Sequence, residues 1–172
     1  MTKVTAYVLV MTFTTLVGNQ VMWAEESGEK EHAELAKALS SAKVSLGAGL
    51  TASASAGKPI SGKFELEEGK LQLSEYTEKD GKFSEVVVDH QSGTAAKGEA
   101  ITAGDDLTAA KSQSAAMAKA KRSLSEAVAK AAAANSGYQV VSVVPSLKDG
   151  HPIADVEIVK GGAWKTVTEK PD

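Results

Sequence analysis

The chain contains no cysteine in its 172 residues. That excludes a disulfide scaffold, thiolate zinc and iron–sulfur sites, and any cysteine nucleophile. Excess charge of one sign is also missing: 19 basic against 22 acidic residues give a net charge of −3. Nothing electrostatic draws such a chain to nucleic acid, and no nucleic-acid partner is expected. Aromatics make up only 5% of the residues. No apolar run reaches the ~20 residues a bilayer-spanning helix needs, so no membrane span is expected in the mature chain. What is present, 42% hydrophobic and 24% charged residues, is too apolar and too weakly charged for disorder throughout. The length suits one domain, or two small ones, at the usual ~100–200 residues per domain.

The first 24 residues read as an address. Lys3 supplies a positive start, Val4 to Val17 form an apolar stretch diluted by threonines, and Gly18-Asn19 break it. Ala24 offers a small residue for cleavage, although Met22 at the −3 position is not small, and Glu25-Glu26 open a polar chain. This pattern predicts a secretory signal peptide over 1–24 and a periplasmic or secreted mature protein. Its removal takes one lysine and no acid, leaving 18 basic and 22 acidic groups.

The remainder repeats itself. An alanine-rich run ends near Gly57 in the first copy and near Gly137 in the second. Three extended segments follow in each, at Pro59–Leu66, Leu71–Glu78 and Phe83–Asp89, then at Tyr138–Leu147, Ile153–Lys160 and Ala163–Glu169. Phe83 and Trp164 stand 81 residues apart, as do Val86 and Val167. Asp80-Gly81 and Gly161-Gly162 fall in step, where a two-residue hairpin turn wants positive φ at both positions; Gly69 marks another turn. Helix starts are 78 residues apart, at Ser45 and Ser123. Ser123 and Glu126 spell a capping box, and Leu124, Ala127, Val128, Ala131 and Ala134 form a stripe at helical spacing. Asp105 or Asp106 is expected to cap a run from Leu107 to Lys121, either separate from the next helix or continuous with it. A short amphipathic helix is expected over Lys30–Ser41. Apolar and polar residues alternate in Phe64-Glu-Leu66 and at the start of Leu71-Gln-Leu-Ser-Glu-Tyr76, so each sheet should have one face on a core covered by its helix.

These residues resemble the PepSY domain. The first copy carries the likeness in Val44-Ser-Leu46, Ala56-Gly-Lys-Pro59, Phe64-Glu-Leu66, Gly69-Lys-Leu71, Gly81-Lys-Phe83 and Glu85-Val-Val-Val-Asp-His-Gln-Ser-Gly93. The second carries it in Ser123-Leu-Ser-Glu-Ala-Val128, Gly137-Tyr138, Asp155-Val-Glu157 and Trp164-Lys-Thr-Val167, and ends differently, in Val167-Thr-Glu-Lys-Pro-Asp172. The resemblance implies an α+β fold of two modules, 25–98 and 99–172. Each would be a helix on its own three-stranded antiparallel sheet, with a long helical segment joining them. It further implies an extracytoplasmic, non-catalytic protein with a binding or regulatory role at the cell envelope, a protein or peptide partner there, and a link to peptidase inhibition. The alternative is a small extracytoplasmic hydrolase or a metal-binding protein.

Residues that could carry chemistry are few. His32, His90 and His151 lie in three different segments without H-x-H or H-x-x-x-H spacing, so no metal site is assigned. Ser40-Ser-Ala-Lys43 matches S-x-x-K, but the S-D-N and K-T-G partners of that hydrolase class are missing. Gly47-Ala-Gly-Leu-Thr-Ala52 matches G-x-G-x-x-A, with Glu67 further on. These glycines fall inside an expected helix rather than after a strand, which favours close helix packing over dinucleotide binding. Glu65, Glu67 and Glu68 read as a solvated acidic patch. Tyr138 and Trp164 are expected in the core, with a partner interface as the other use of such residues. No catalytic residue and no cofactor is assigned.

Overall fold

The structure, a computed structural model, describes residues 21–171. The signal-peptide reading therefore falls mostly outside the described residues. In chain order the elements are α1 (Val21–Ala38) with a 3-10 turn at Leu39–Ser41, α2 (Leu46–Ser53), β1 (Lys58–Glu67), β2 (Lys70–Lys79), β3 (Lys82–Val88) and β4 (Glu99–Ile101). Then come α3 (Gly104–Lys119), α4 (Leu124–Ala134), β5 (Gln139–Lys148), β6 (His151–Lys160) and β7 (Ala163–Glu169).

Each half begins with a serine N-cap. Ser45 accepts the Ala48 N–H, and Ser123 forms both arms of the expected capping box with Glu126. Both satisfy donors that a helix leaves orphaned in its first turn. Four tight hairpin turns follow, at Glu68-Gly69, Asp80-Gly81, Asp149-Gly150 and Gly161-Gly162, all with positive φ at both residues. That geometry matches the right-handed strand twist, so each turn closes its strands without splaying them. β1 and β5, β2 and β6, and β3 and β7 begin and end 81 residues apart. Even the bulges correspond: the register slips between Pro59 and Ser61 in β1 and between Val140 and Ser142 in β5.

The two halves do not form separate modules. All seven strands join one antiparallel sheet in the order β4-β3-β2-β1-β5-β6-β7. The expected pair of three-stranded sheets is corrected by one short ladder, in which Gly62 pairs with Val143 and Lys63 with Ser142. β1 and β5 thus lie edge to edge across a pseudo-dyad, where Gly62 and Val143 are equivalent by the 81-residue spacing. Joining them removes two exposed strand edges from the middle of the molecule.

Nor is there a long joining helix. Ala120 turns extended, with ψ 138°, and separates α3 from α4. Neither aspartate caps α3: its N-cap is Ala103, and Asp105 and Asp106 sit in its first turn. There they complement the helix dipole.

α2 and α4 lie side by side on one face of the sheet. Leu46, Leu50, Leu124, Val128 and Ala131 meet Phe64, Leu73, Val86, Val143, Val156 and Ile158 in a single core. α3 crosses the other face. Its Gln113 accepts a hydrogen bond from the Ser61 hydroxyl at 2.8 Å, and its Asp106 accepts one from Tyr76 at 2.8 Å. Ser61 and Tyr76 are register partners on that second face, whereas their neighbours Gly62 and Glu75 point towards α2.

Candidate functional site

The seam between the halves carries the least expected residue. Glu75 is fully buried, and neither carboxyl oxygen has a hydrogen-bond partner. It reaches into space that two glycines keep open. A Cβ at Gly62 would come within 2.0 Å of its Oε2, and one at Gly49 within 2.6 Å of its Oε1. The second half has Val143 where the first has Gly62, and Val156 where the first has Glu75. One copy thus carries an apolar pair and the other an acid in a notch. Burial pushes the Glu75 carboxyl up to about 9, so it holds its proton at neutral pH. Glu75 escaped the reading of the sequence because it is charged. Its parity was visible nonetheless: Leu71, Leu73, Glu75 and Thr77 alternate onto the inner face.

On the same helical face of the sheet, an open groove of about 630 Å³ runs between the start of α2 and α4. Val44, Leu46, Val128, Ala132, Tyr138 and Val140 line it, and Lys43, Ser45 and Gln139 stand among its polar positions. The Lys43 and Val44 N–H groups both donate to the His90 carbonyl, which fixes the groove's upstream wall. Lys160 holds Tyr138 from the other side, its Nζ 5.7 Å from the ring centre.

The opposite face bears a second cleft of about 480 Å³ between β1, β2 and α3. Tyr76, Asp106, Ser61, Gln113 and Lys63 border it, with Val144 42% exposed at its edge. Lys63 is engaged by Glu65 at 2.6 Å, and the Tyr76 hydroxyl donates a hydrogen bond to Asp106. Burial and then that hydrogen bond hold the Tyr76 hydroxyl well above the usual phenol range. Burial also raises Glu85, the register partner of Tyr76. Lys63 and Tyr76 are thus each paired with a carboxylate.

The residues singled out in the sequence are scattered. His32 stacks on Trp164 with ring centres 4.5 Å apart. His90 contacts Gln91 Nε2 at 3.0 Å, and His151 opens β6 opposite Lys148. Among the described residues, no three histidine or carboxylate side chains gather in a way that could hold a metal ion. Ser40 donates its hydroxyl to the Lys37 carbonyl at 2.7 Å, a local helix-end contact. Gly49 serves close packing of α2 against Leu73 and Glu75, not a phosphate. Tyr138 and Trp164 are half-buried against the core. No hydrogen bond among the described residues joins a serine or threonine hydroxyl to a histidine, the link that activates such nucleophiles. No family model, no curated protein and no solved structure matches the chain. No helix among the described residues is long and apolar enough to cross a membrane.

Proposed function

We propose that the protein is a non-enzymatic binding or regulatory component of the cell envelope that accepts an apolar segment of a partner protein or peptide. One observation carries this reading: the groove between α2 and α4 is open, preformed and walled mainly by aliphatic side chains. Sites of this kind bind by burying apolar surface, with a few polar groups at the rim to orient the ligand. The signal-like start of the chain supports an exported protein. The likeness of both halves to PepSY domains would make a peptidase the partner class to try first.

The test uses an array of immobilised twelve-residue peptides, probed with the purified protein and with Ala129→Arg. Ala129 lines the groove and is exposed, so a longer side chain there obstructs the groove without disturbing the core. The protein should retain peptides rich in leucine, valine and phenylalanine, and the variant should lose them. Retention of no peptide, or equal retention by both proteins, overturns it.

A further inference from the structure

We infer that two copies of this chain pair through β7 into a continuous fourteen-stranded antiparallel sheet. In the first half the outer edge of β3 is occupied: Phe83, Ser84 and Glu85 pair with Ile101, Ala100 and Glu99 of β4. Beyond it, the Ala96 N–H donates to the Val87 carbonyl at 2.8 Å. β7 is the counterpart of β3, yet among the described residues its outer edge has no strand beside it. The sheet therefore ends in a three-residue strand on one side and in the seven residues of β7 on the other, exposed at Ala163, Lys165, Thr166 and Thr168.

The open edge is specific about what fits. Lys160 and Ala163 close a two-residue hairpin, so they exchange both backbone hydrogen bonds. Lys165 and Val167 consequently also turn their backbone groups towards β6, and Trp164, Thr166 and Thr168 turn theirs outward. A second copy of β7 running antiparallel can bond those outward groups in three centred registers. Centred on Lys165, the dimer would set two ammonium groups against each other. Centred on Thr166, it would oppose Lys165 to Val167. Centred on Val167, it places Lys165 opposite Glu169 twice, Thr166 opposite Thr168 twice, and Val167 against its own copy on the dyad. Opposite charges and paired threonines are the cross-strand combinations that favour a register.

The intramolecular partners of this pair leave capacity to spare. Lys165 donates to Asn135 Oδ1 at 2.9 Å, and Glu169, only 7% exposed, accepts from the exposed Lys130 at 2.6 Å. An ammonium has three donors and a carboxylate about four acceptor sites. Because β7 pairs with its own copy, the contact closes as a two-fold dimer, and the far edge offers only the three residues of β4 for further pairing.

Sedimentation velocity across a concentration series tests this with the purified protein and two variants. Thr166→Pro removes an outward N–H that the monomer does not use, and Lys165→Glu sets like charges across the dyad. The protein should convert from one chain to two as concentration rises. Thr166→Pro should stay monomeric, and Lys165→Glu should dimerise at least about tenfold more weakly. A register test follows from the absence of cysteine. Val167→Cys should oxidise to a disulfide-linked dimer, and Ala163→Cys, far from its own copy in this register, should not. The inference fails if the protein stays monomeric to millimolar concentration, if Thr166→Pro leaves the dimer intact, or if Ala163→Cys cross-links as readily as Val167→Cys.

Discussion

At the scale of the residue, Glu75 sets the terms. Its carboxyl carries a raised folded value of about 9 against an ordinary 4.5. Below pH 4.5 both folded and unfolded chains hold the proton, and burial costs no ionisation. Between 4.5 and 9 the unfolded chain releases the proton while the folded chain keeps it, so stability falls as pH rises. At pH 7 the loss relative to acid is on the order of 3 kcal/mol. Glu75→Gln removes this dependence. The stability of Glu75→Gln minus that of the parent protein, from urea melts at pH 5 and pH 8, should grow with pH; a constant difference would refute the assignment. The exposed acids Asp89 and Glu126, held low by hydrogen bonds from Ser92 and Ser123 respectively, titrate alike in both proteins and cancel. The symmetry supplies a second check. Gly62→Val alone should destabilise strongly, because its Cβ would meet Glu75 Oε2 at 2.0 Å. Gly62→Val combined with Glu75→Val recreates the Val143–Val156 pair of the other half, so the double variant should recover. A coupling of about 2 kcal/mol in the resulting cycle is expected, and additivity would argue against direct contact.

The elements show where reading a sequence succeeds and where it stops. The six long strands and the hairpin turns at 80–81 and 161–162 were legible because alternation and glycine-bearing dipeptides are local signals. α4 was legible through its capping box. Loss of that box in Ser123→Ala should cost about 1 kcal/mol, seen as a lower urea midpoint with an unchanged slope. α2 is different. By propensity alone, Gly47 and Gly49 each weaken it by about 1 kcal/mol against alanine, so either replacement should stabilise the helix. The structure divides them. A Cβ at Gly47 would touch Val128 Cγ1 at 3.6 Å, an ordinary contact, whereas one at Gly49 would lie 2.6 Å from Leu73 Cδ2. Gly47→Ala should therefore raise the melting temperature and Gly49→Ala should lower it. Thermal melts of the two proteins decide this, and equal shifts would contradict the packing described for α2. β4 left no trace in the sequence, since three residues cannot display a period. Glu75 went unnoticed because a single charge interrupts an otherwise apolar inner face.

On the scale of the whole molecule, the repeat was visible but its assembly was not. The junction of the halves rests on two register pairs between strands 81 residues apart, with no turn to announce it. Nothing in either copy alone distinguishes a free edge from a joined one. The consequence is cooperative. α3 bridges the seam: Gln113 holds Ser61 of the first half, Lys58 donates to the Met117 carbonyl, and Lys119 donates to the Gly150 carbonyl of the second. α2 packs on α4, and both contribute to one core. Cutting between 98 and 99 would expose the β1 and β5 edges, strip the inner flanks of both helices, and remove α3 from the first half. A fragment of roughly 75 residues rarely holds a core with that much surface uncovered. The intact protein should therefore unfold in a single transition whose calorimetric and van't Hoff enthalpies agree. Fragments 25–98 and 99–172 should each show poorly dispersed amide resonances when expressed alone, and should regain dispersion when mixed. Independent folding of either fragment, or two resolved transitions in the intact chain, would mean that the halves merely abut and that the shared sheet is not what holds them.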